Sequence, residues 1–335
     1  MSRRFIFLFL LATFVALVPF HSPAPLIYTP GEGWYYETAG TLSHWQRERA
    51  KDQLEVAQQA FTDHDYSTAL HASHRLLKLW PLSDYAPRAE YLIGRCLEMK
   101  GRDELAFKAY ENIIQKYPHS GDYEEVLWRQ YEIAGRFLNG EWFRLWNTIP
   151  FYPSMDETAK LYAKIVGNGP YSDVAPHAQL RIGAAREKAK DYPAAVKAYA
   201  TAADRYQNQP VIAADAMYRE GVTLYKQAAT AEYDQGTASQ AVAAFTDFIT
   251  FFPDDRRVTN AQKAIVLLKT EQVRGNFEIA QFYEKSHILK ADQKRRGALV
   301  YYNEVLQLDP NSRYAAQARQ RVEILKTRLQ NSPAS

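Results

Sequence analysis

Residues 69–81 read ALHASHRLLKLWP and residues 106–118 read AFKAYENIIQKYP. Aligned on their first alanine, the two stretches place a small residue at the start, a second residue four later, an aliphatic residue seven later and a proline twelve later: Ala69, Ser73, Leu76, Pro81 and Ala106, Tyr110, Ile113, Pro118. The frame returns four more times. It runs as Thr158, Tyr162, Ile165, Pro170, as Ala195, Tyr199, Ala202 with Gln207 in the proline position, as Ala241, Phe245, Phe248, Pro253, and as Ala298, Tyr302, Val305, Pro310. Spacings of four and seven put the three side chains on one face of a helix. The small first residue lets a neighbouring helix approach closely, and the proline cannot continue the helix that precedes it.

A second small residue precedes the frame: Ala57, Gly94, Gly183, Gly221 and Ala280. Each repeat therefore reads as two helices of about 12 residues joined by a tight turn, which resembles the tetratricopeptide repeat with its period of about 34 residues. The copies start 37, 52, 37, 46 and 57 residues apart, so some carry insertions. These are RFLNGEWFRLWNTIPFYPSMDE in the third, QAATAEYDQGTASQ in the fifth and EKSHILKADQKRRG in the sixth. The expected fold is all-α: a tetratricopeptide-repeat helical solenoid of about six helix pairs over residues 47–328, each pair burying its face on the next. A disordered tail is expected over residues 329–335.

The N-terminal end reads differently. Arg3 and Arg4 precede an apolar run from Phe5 to Val18, the pattern of an export signal. The run is short for a spanning helix, and Pro25 follows the small residues Ser22 and Ala24 where cleavage would fall. Residues 1–20 are expected to be a signal peptide or an uncleaved signal anchor. Residues 21–46, rich in proline and glycine, are expected to be an extended linker. The remaining chain offers no second long apolar run. Its 41 basic and 38 acidic residues give a net charge of +3, which argues against nucleic acid as a partner. One cysteine, Cys96, rules out an intramolecular disulfide framework and sits in an apolar helical pattern that marks it as a core residue.

No constellation for catalysis stands out. The chain lacks a nucleophile elbow, a phosphate-cradling glycine loop, an HExxH zinc helix and paired CxxC motifs. His71 and His74 share a helix face but have no obvious further ligands, so a solvated face is the expectation. The chain is therefore read as non-enzymatic, with neither cofactor nor metal, and attention moves to its surfaces. In this repeat type the first helix of each pair lines the concave face. Lys51, Leu54 and Gln58 in copy one and Arg88, Tyr91 and Arg95 in copy two fall at helical spacing there, and would offer cations and an aromatic ring to a peptide carboxylate. In the third-copy insertion, Trp142, Phe143 and Trp146 bring aromatics together, with Trp142 and Trp146 four apart on one helical face. They either touch a membrane surface or partner, or pack back over the solenoid, which is the favoured reading.

The stretch AMYREGVTLYKQA (216–228), followed by ASQAVAAFTDFITFFPDD (238–255) and KTEQVRGNFEIAQFYEKSHI (269–288), resembles the BamD (YfiO/ComL) family. This family is the tetratricopeptide component of the machinery that assembles outer-membrane β-barrels. The resemblance is carried by Met217, Tyr218, Gly221, Ala244, Phe245, Asp247, Phe248, Pro253, Ile279, Ala280, Phe282 and Tyr283. It implies a periplasmic scaffold at the outer membrane that helps fold and insert β-barrel proteins. It implies further that the N-terminal repeats receive unfolded outer-membrane proteins and that the C-terminal repeats dock a BamA-like β-barrel partner. Mapped here, Phe245, Asp247, Phe248, Phe282 and Tyr283 would mark the docking region. Family members are lipoproteins, whereas residues 1–45 hold no cysteine, so no lipid anchor on cysteine is expected. The chain would be held by its partner, by a peripheral membrane contact of the insertion, or at the inner membrane by an uncleaved signal. Another cell-envelope tetratricopeptide scaffold, such as the Tol-Pal coordinator, is the alternative; that protein has an N-terminal coiled coil, and no heptads precede Arg47.

Overall fold

The computed structural model describes residues 26–29, 33–36, 44–118, 120, 123–145, 149–230, 235–286 and 290–330. The expected export signal lies outside these residues, as do Trp146 and the last five residues of the tail. Thirteen helices are present among the described residues. Copy one comprises α1 (Ala50–Thr62) and α2 (Tyr66–Leu79), and copy two α3 (Ala86–Met99) and α4 (Asp103–Lys116). Copy three comprises α5 (Tyr123–Leu138) and α6 (Met155–Asn168), and copy four α7 (Val174–Lys188) and α8 (Tyr192–Arg205). Copy five comprises α9 (Pro210–Thr230) and α10 (Gln235–Phe251), and copy six α11 (Val258–Lys285) and α12 (Ala291–Leu308). A last helix, α13 (Ala315–Gln330), follows, so the chain stays helical through Leu329 and Gln330, where a tail was expected. Among the described residues no helix is long and apolar enough to cross a membrane.

The chain divides into two compact units, Met1–Arg129 and Gln130–Ser335, with the division inside α5. In the first, α2 packs on both α1 and α3, and α3 on α4. In the second, α7 packs on α6 and α8, α9 on α8 and α10, α11 on α10 and α12, and α13 closes over α12. In every copy the residues at the frame's first, fifth and eighth positions are at most 2% exposed, from Ala69, Ser73 and Leu76 to Ala298, Tyr302 and Val305. The frame is the core. Each second helix also ends in one way: the N–H eleven residues into the frame donates back to the carbonyl at the eighth position. The pairs are Trp80 to Leu76, Tyr117 to Ile113, Gly169 to Ile165, Tyr206 to Ala202, Phe252 to Phe248 and Asp309 to Val305. The proline that follows in five copies then forbids another turn.

The turn inside a repeat is equally regular. His64, Gly101 and Lys190, each five residues before its frame, take positive φ of about 60°. This left-handed residue ends the first helix, and Asp65 and Asp191, next in the chain, cap the second through the N–H groups of Thr68 and Ala194.

The second small residue has a visible purpose. A Cβ on Gly94 or Gly183 would lie 2.5 Å from the ring of Tyr110 or Tyr199, and one on Gly221 would lie 2.7 Å from Phe245. The aromatic ring of the second helix thus lies flat on the first helix, where only hydrogen leaves room. One turn further, a glutamate takes the tyrosine hydroxyl. Tyr110 donates to Glu98, Tyr199 to Glu187 at 3.1 Å, and Tyr302 to Glu284 at 2.8 Å. Copy five has Phe245, without a hydroxyl, and no glutamate there. In copy three the glycine is Gly135, the residue a turn later is Asn139, and the buried Tyr162 hydroxyl has no hydrogen-bond partner among the described residues.

Among the described residues two antiparallel strand pairs accompany the helices, one ahead of α1 and one between α5 and α6. The expected linker contains β1 (Leu26–Thr29) paired antiparallel with β2 (Gly33–Tyr36), with Tyr28 and Trp34 5.2 Å apart. It is therefore paired backbone over these residues. The third-copy insertion likewise pairs β3 (Phe143–Leu145) antiparallel with β4 (Ile149–Tyr152).

Candidate functional site

On copy two, Arg88 is exposed, Tyr91 is half-buried and Arg95 lies a turn further along α3. The structure joins the last two: Arg95 Nη1 donates to the Tyr91 hydroxyl at 3.4 Å, and the guanidinium lies 5.7 Å from the ring centre of Phe61. Tyr91 in turn donates to Glu125 of α5, which also faces Arg129. Burial and the Glu125 carboxylate hold the Tyr91 phenol above its ordinary value. A carboxylate of the chain itself therefore already occupies this part of the face. On copy one Lys51 and Gln58 are exposed, but Leu54 is a correction. It is 5% exposed and packs in the core with Leu76, Trp80 and Ala89, because the face that meets α2 takes it.

The insertion corrects a second expectation. The spacing of Trp142 and Trp146 suggests an aromatic helix face, but α5 stops at Leu138. There the Glu141 N–H donates to the Arg136 carbonyl and Gly140 turns with φ of 107°. The aromatic and β-branched residues that follow then favour a strand. Phe143 is buried and stacks on Phe137 at 4.2 Å, so it packs back on its own repeat, while Trp142 is half exposed.

In the expected docking region, Phe245 and Phe248 are at most 1% exposed and belong to the core of copy five with Leu268. They are frame residues, and burial removes them from any partner surface. Asp247 is exposed, and Phe282 is 65% exposed on α11. Tyr283 is half-buried against Gly297 and stacked 5.6 Å from Tyr301. Cys96 is fully buried, and burial pushes its thiol up to about 11, so it is inert as a nucleophile.

A polar feature escaped the sequence reading. Arg257 stands between Asp255, reached at 2.9 Å and 2.8 Å, and Asp215, reached at 2.7 Å, while its guanidinium lies 5.0 Å from the ring centre of Tyr218. Asp215 also accepts from Arg219 at 2.8 Å. The signal was available as Arg257 two residues after Asp255 in the loop behind Pro253. The long-range partner Asp215 was not readable from spacing.

Repeated helix pairs with a small-on-aromatic contact define a tetratricopeptide-repeat protein, and residues 88–120 match the tetratricopeptide repeat pattern. Residues 155–305 match the YfiO family, described as outer membrane lipoprotein. Over residues 155–305 the chain is BamD-like, within a tetratricopeptide-repeat fold. No curated protein matches it. Solved structures similar to it include the C-terminal part of a TPR repeat-containing protein from Cytophaga hutchinsonii, at 15% identity over 80% of this chain and 87% of that one, with a TM-score of 0.37. Another is a tetratricopeptide repeat protein from Parabacteroides merdae, at 10% identity over 83% and 98%, with a TM-score of 0.34.

Proposed function

We propose that this chain is a non-enzymatic periplasmic scaffold that assists assembly and insertion of outer-membrane β-barrel proteins. It binds extended substrate segments on first-helix faces and a BamA-like partner at copies five and six. The observation that carries the reading is the YfiO match over residues 155–305, which takes in the second helix of copy three and nearly all of copies four to six. On the partner side, Asp247 and Phe282 are the accessible members of the expected set. An exposed phenylalanine beside polar residues has the composition of an interface anchor. The test is affinity purification from the native envelope in mild detergent, with mass spectrometry of what accompanies the chain. Recovery of a large β-barrel protein with repeated periplasmic domains supports the reading. Recovery of Tol-Pal proteins instead overturns it in favour of another envelope scaffold.

A further inference from the structure

The loops that follow the second helices of copies three and four leave a cavity of about 600 Å³ between them. Its residues all belong to the second unit. The same pair of loops follows copies one and two, and there a hydrogen bond ties it. Tyr117, eleven residues into the frame of copy two, donates its hydroxyl at 3.1 Å to the carbonyl of Pro81, the frame proline of copy one. The equivalent residues of copies four and three are Tyr206 and Pro170, and both line the cavity. Tyr206 is 6% exposed, yet its hydroxyl has no hydrogen-bond partner among the described residues. The difference traces to Gln207, which holds the proline position in copy four. A proline keeps the residue before it out of the helical region. Ahead of a proline, Trp80, Tyr117, Gly169 and Asp309 have ψ of 59°, 55°, 67° and 96°. Tyr206, ahead of Gln207, has ψ of 31°. The backbone under its ring is turned, and the hydroxyl is not spent on Pro170. The rim of the cavity is equally uncommitted. Gln207, Asn208 and Gln209 are three consecutive exposed carboxamides, and Arg205 precedes them. Among the described residues none of these four side chains makes a hydrogen bond or an ion pair. On the other loop, Tyr171 is 100% exposed. No carboxylate lines the cavity.

We propose that this cavity binds a neutral saccharide carrying N-acetyl groups. Tyr171 is the stacking platform, the three carboxamides and Arg205 form the hydrogen-bonding rim, and the Tyr206 hydroxyl is the buried contact. A sugar ring has an apolar face that covers an aromatic ring, while its hydroxyls both donate and accept, as a carboxamide does. Arg205 only donates, so donors exceed acceptors on the rim, and a ligand with added carbonyl oxygens, such as an N-acetylhexosamine, matches that excess. A single cation is too little for a di- or triphosphate. The volume lies within the range of whole small-ligand sites, about 300–1,000 Å³. The lining is confined to the two loops and the adjoining helix ends, so the ligand is compact and not an extended segment. The site does not depend on the scaffold reading.

Isothermal titration calorimetry of the full chain with chitotriose, the β-1,4-linked trimer of N-acetylglucosamine, tests this. Cellotriose, which lacks the acetamido groups, is the comparison. Chitotriose should bind, and cellotriose should bind about fivefold more weakly or less. Tyr171→Ala, at a fully exposed position, should weaken chitotriose about tenfold and leave the core untouched. Tyr206→Phe should weaken it about fivefold while the urea midpoint stays or rises, because the lost hydroxyl is unpaired in the free protein. Gln207→Pro removes no hydrogen bond, since the Gln207 N–H makes none among the described residues. It should return Tyr206 to Pro170 and abolish binding in a folded protein. Retention of the chain on chitin beads would make the ligand the interior of a polymer. Binding of the trimer without retention would make it a chain end or a small glycan, and the site stands in both cases. No binding of chitotriose, or unchanged affinity in folded Tyr171→Ala and Gln207→Pro proteins, overturns the proposal. Binding of an unstructured peptide at these residues that chitotriose fails to displace overturns it as well.

Discussion

Removing single tyrosine hydroxyls from the second unit should give opposite results at equivalent positions. Tyr199 and Tyr302 each donate to a glutamate one turn beyond the small residue, at 3.1 Å and 2.8 Å. A hydrogen bond to a charged group contributes about 1.5–3 kcal/mol net. Each carboxylate keeps a second partner, Lys226 on Glu187 and Arg321 on Glu284, so the deletion does not orphan it. The expected cost of Tyr199→Phe or Tyr302→Phe is therefore at or just below the lower edge of that range, about 1–1.5 kcal/mol. Tyr162 is as deeply buried, but its hydroxyl has no hydrogen-bond partner among the described residues. An unpaired buried hydroxyl costs about 1–3 kcal/mol in protein mutational data, and Tyr162→Phe removes it. That variant should be neutral or more stable by up to about 1 kcal/mol. Urea denaturation followed by circular dichroism, with the slope checked for constancy, gives all three differences. Equal losses at Tyr162 and Tyr302, or no loss at Tyr302, would refute the pairing of ring, small residue and glutamate as the stabilising unit.

Three further outcomes follow from the same geometry. Lys190 holds a positive φ that costs an L-residue about 1–2 kcal/mol, so Lys190→Gly should raise stability by about 0.5–1 kcal/mol after the added chain entropy, measured by the urea midpoint. Gly183→Ala should lower stability by about 1–2 kcal/mol despite alanine's better helix propensity, because its Cβ would meet the Tyr199 ring at 2.5 Å. Burial near Asp204 and Asp247 raises the Glu220 carboxyl from 4.5 to about 6. With the folded pKa raised, stability falls as pH rises from about 4.5 to about 6 and stays reduced above it. Glu220→Gln should therefore stabilise by about 1 kcal/mol at neutral pH and leave stability at pH 4 unchanged, as paired denaturation curves would show.

The helix pairs were legible because the frame residues have to be buried in every copy. The proline that follows the second helix in five of the six copies marks a boundary in the sequence itself. The left-handed turn was legible only at Gly101, since His64 and Lys190 adopt the same conformation without a glycine to announce it. The insertion was misread because two tryptophans four apart fit a helix. Whether the chain continues α5 or turns back is decided by Gly140 and by Phe143 finding Phe137. Surfaces were harder. Helical spacing alone puts Leu54 beside Lys51 and Gln58, and the family resemblance alone groups Phe245 and Phe248 with Asp247. Exposure depends on which neighbouring helix covers each face.

The central claim, that copies five and six dock a β-barrel assembly partner, is tested most directly by site-specific photocrosslinking. A photoreactive residue would replace Phe282 or Asp247 in the full chain within the native envelope, with the outer position Lys197 as control. The account predicts a crosslink from Phe282 and Asp247 to a large outer-membrane β-barrel protein through its periplasmic part, and none from Lys197. Crosslinks to Tol-Pal proteins, or equal labelling at all three positions, would contradict it.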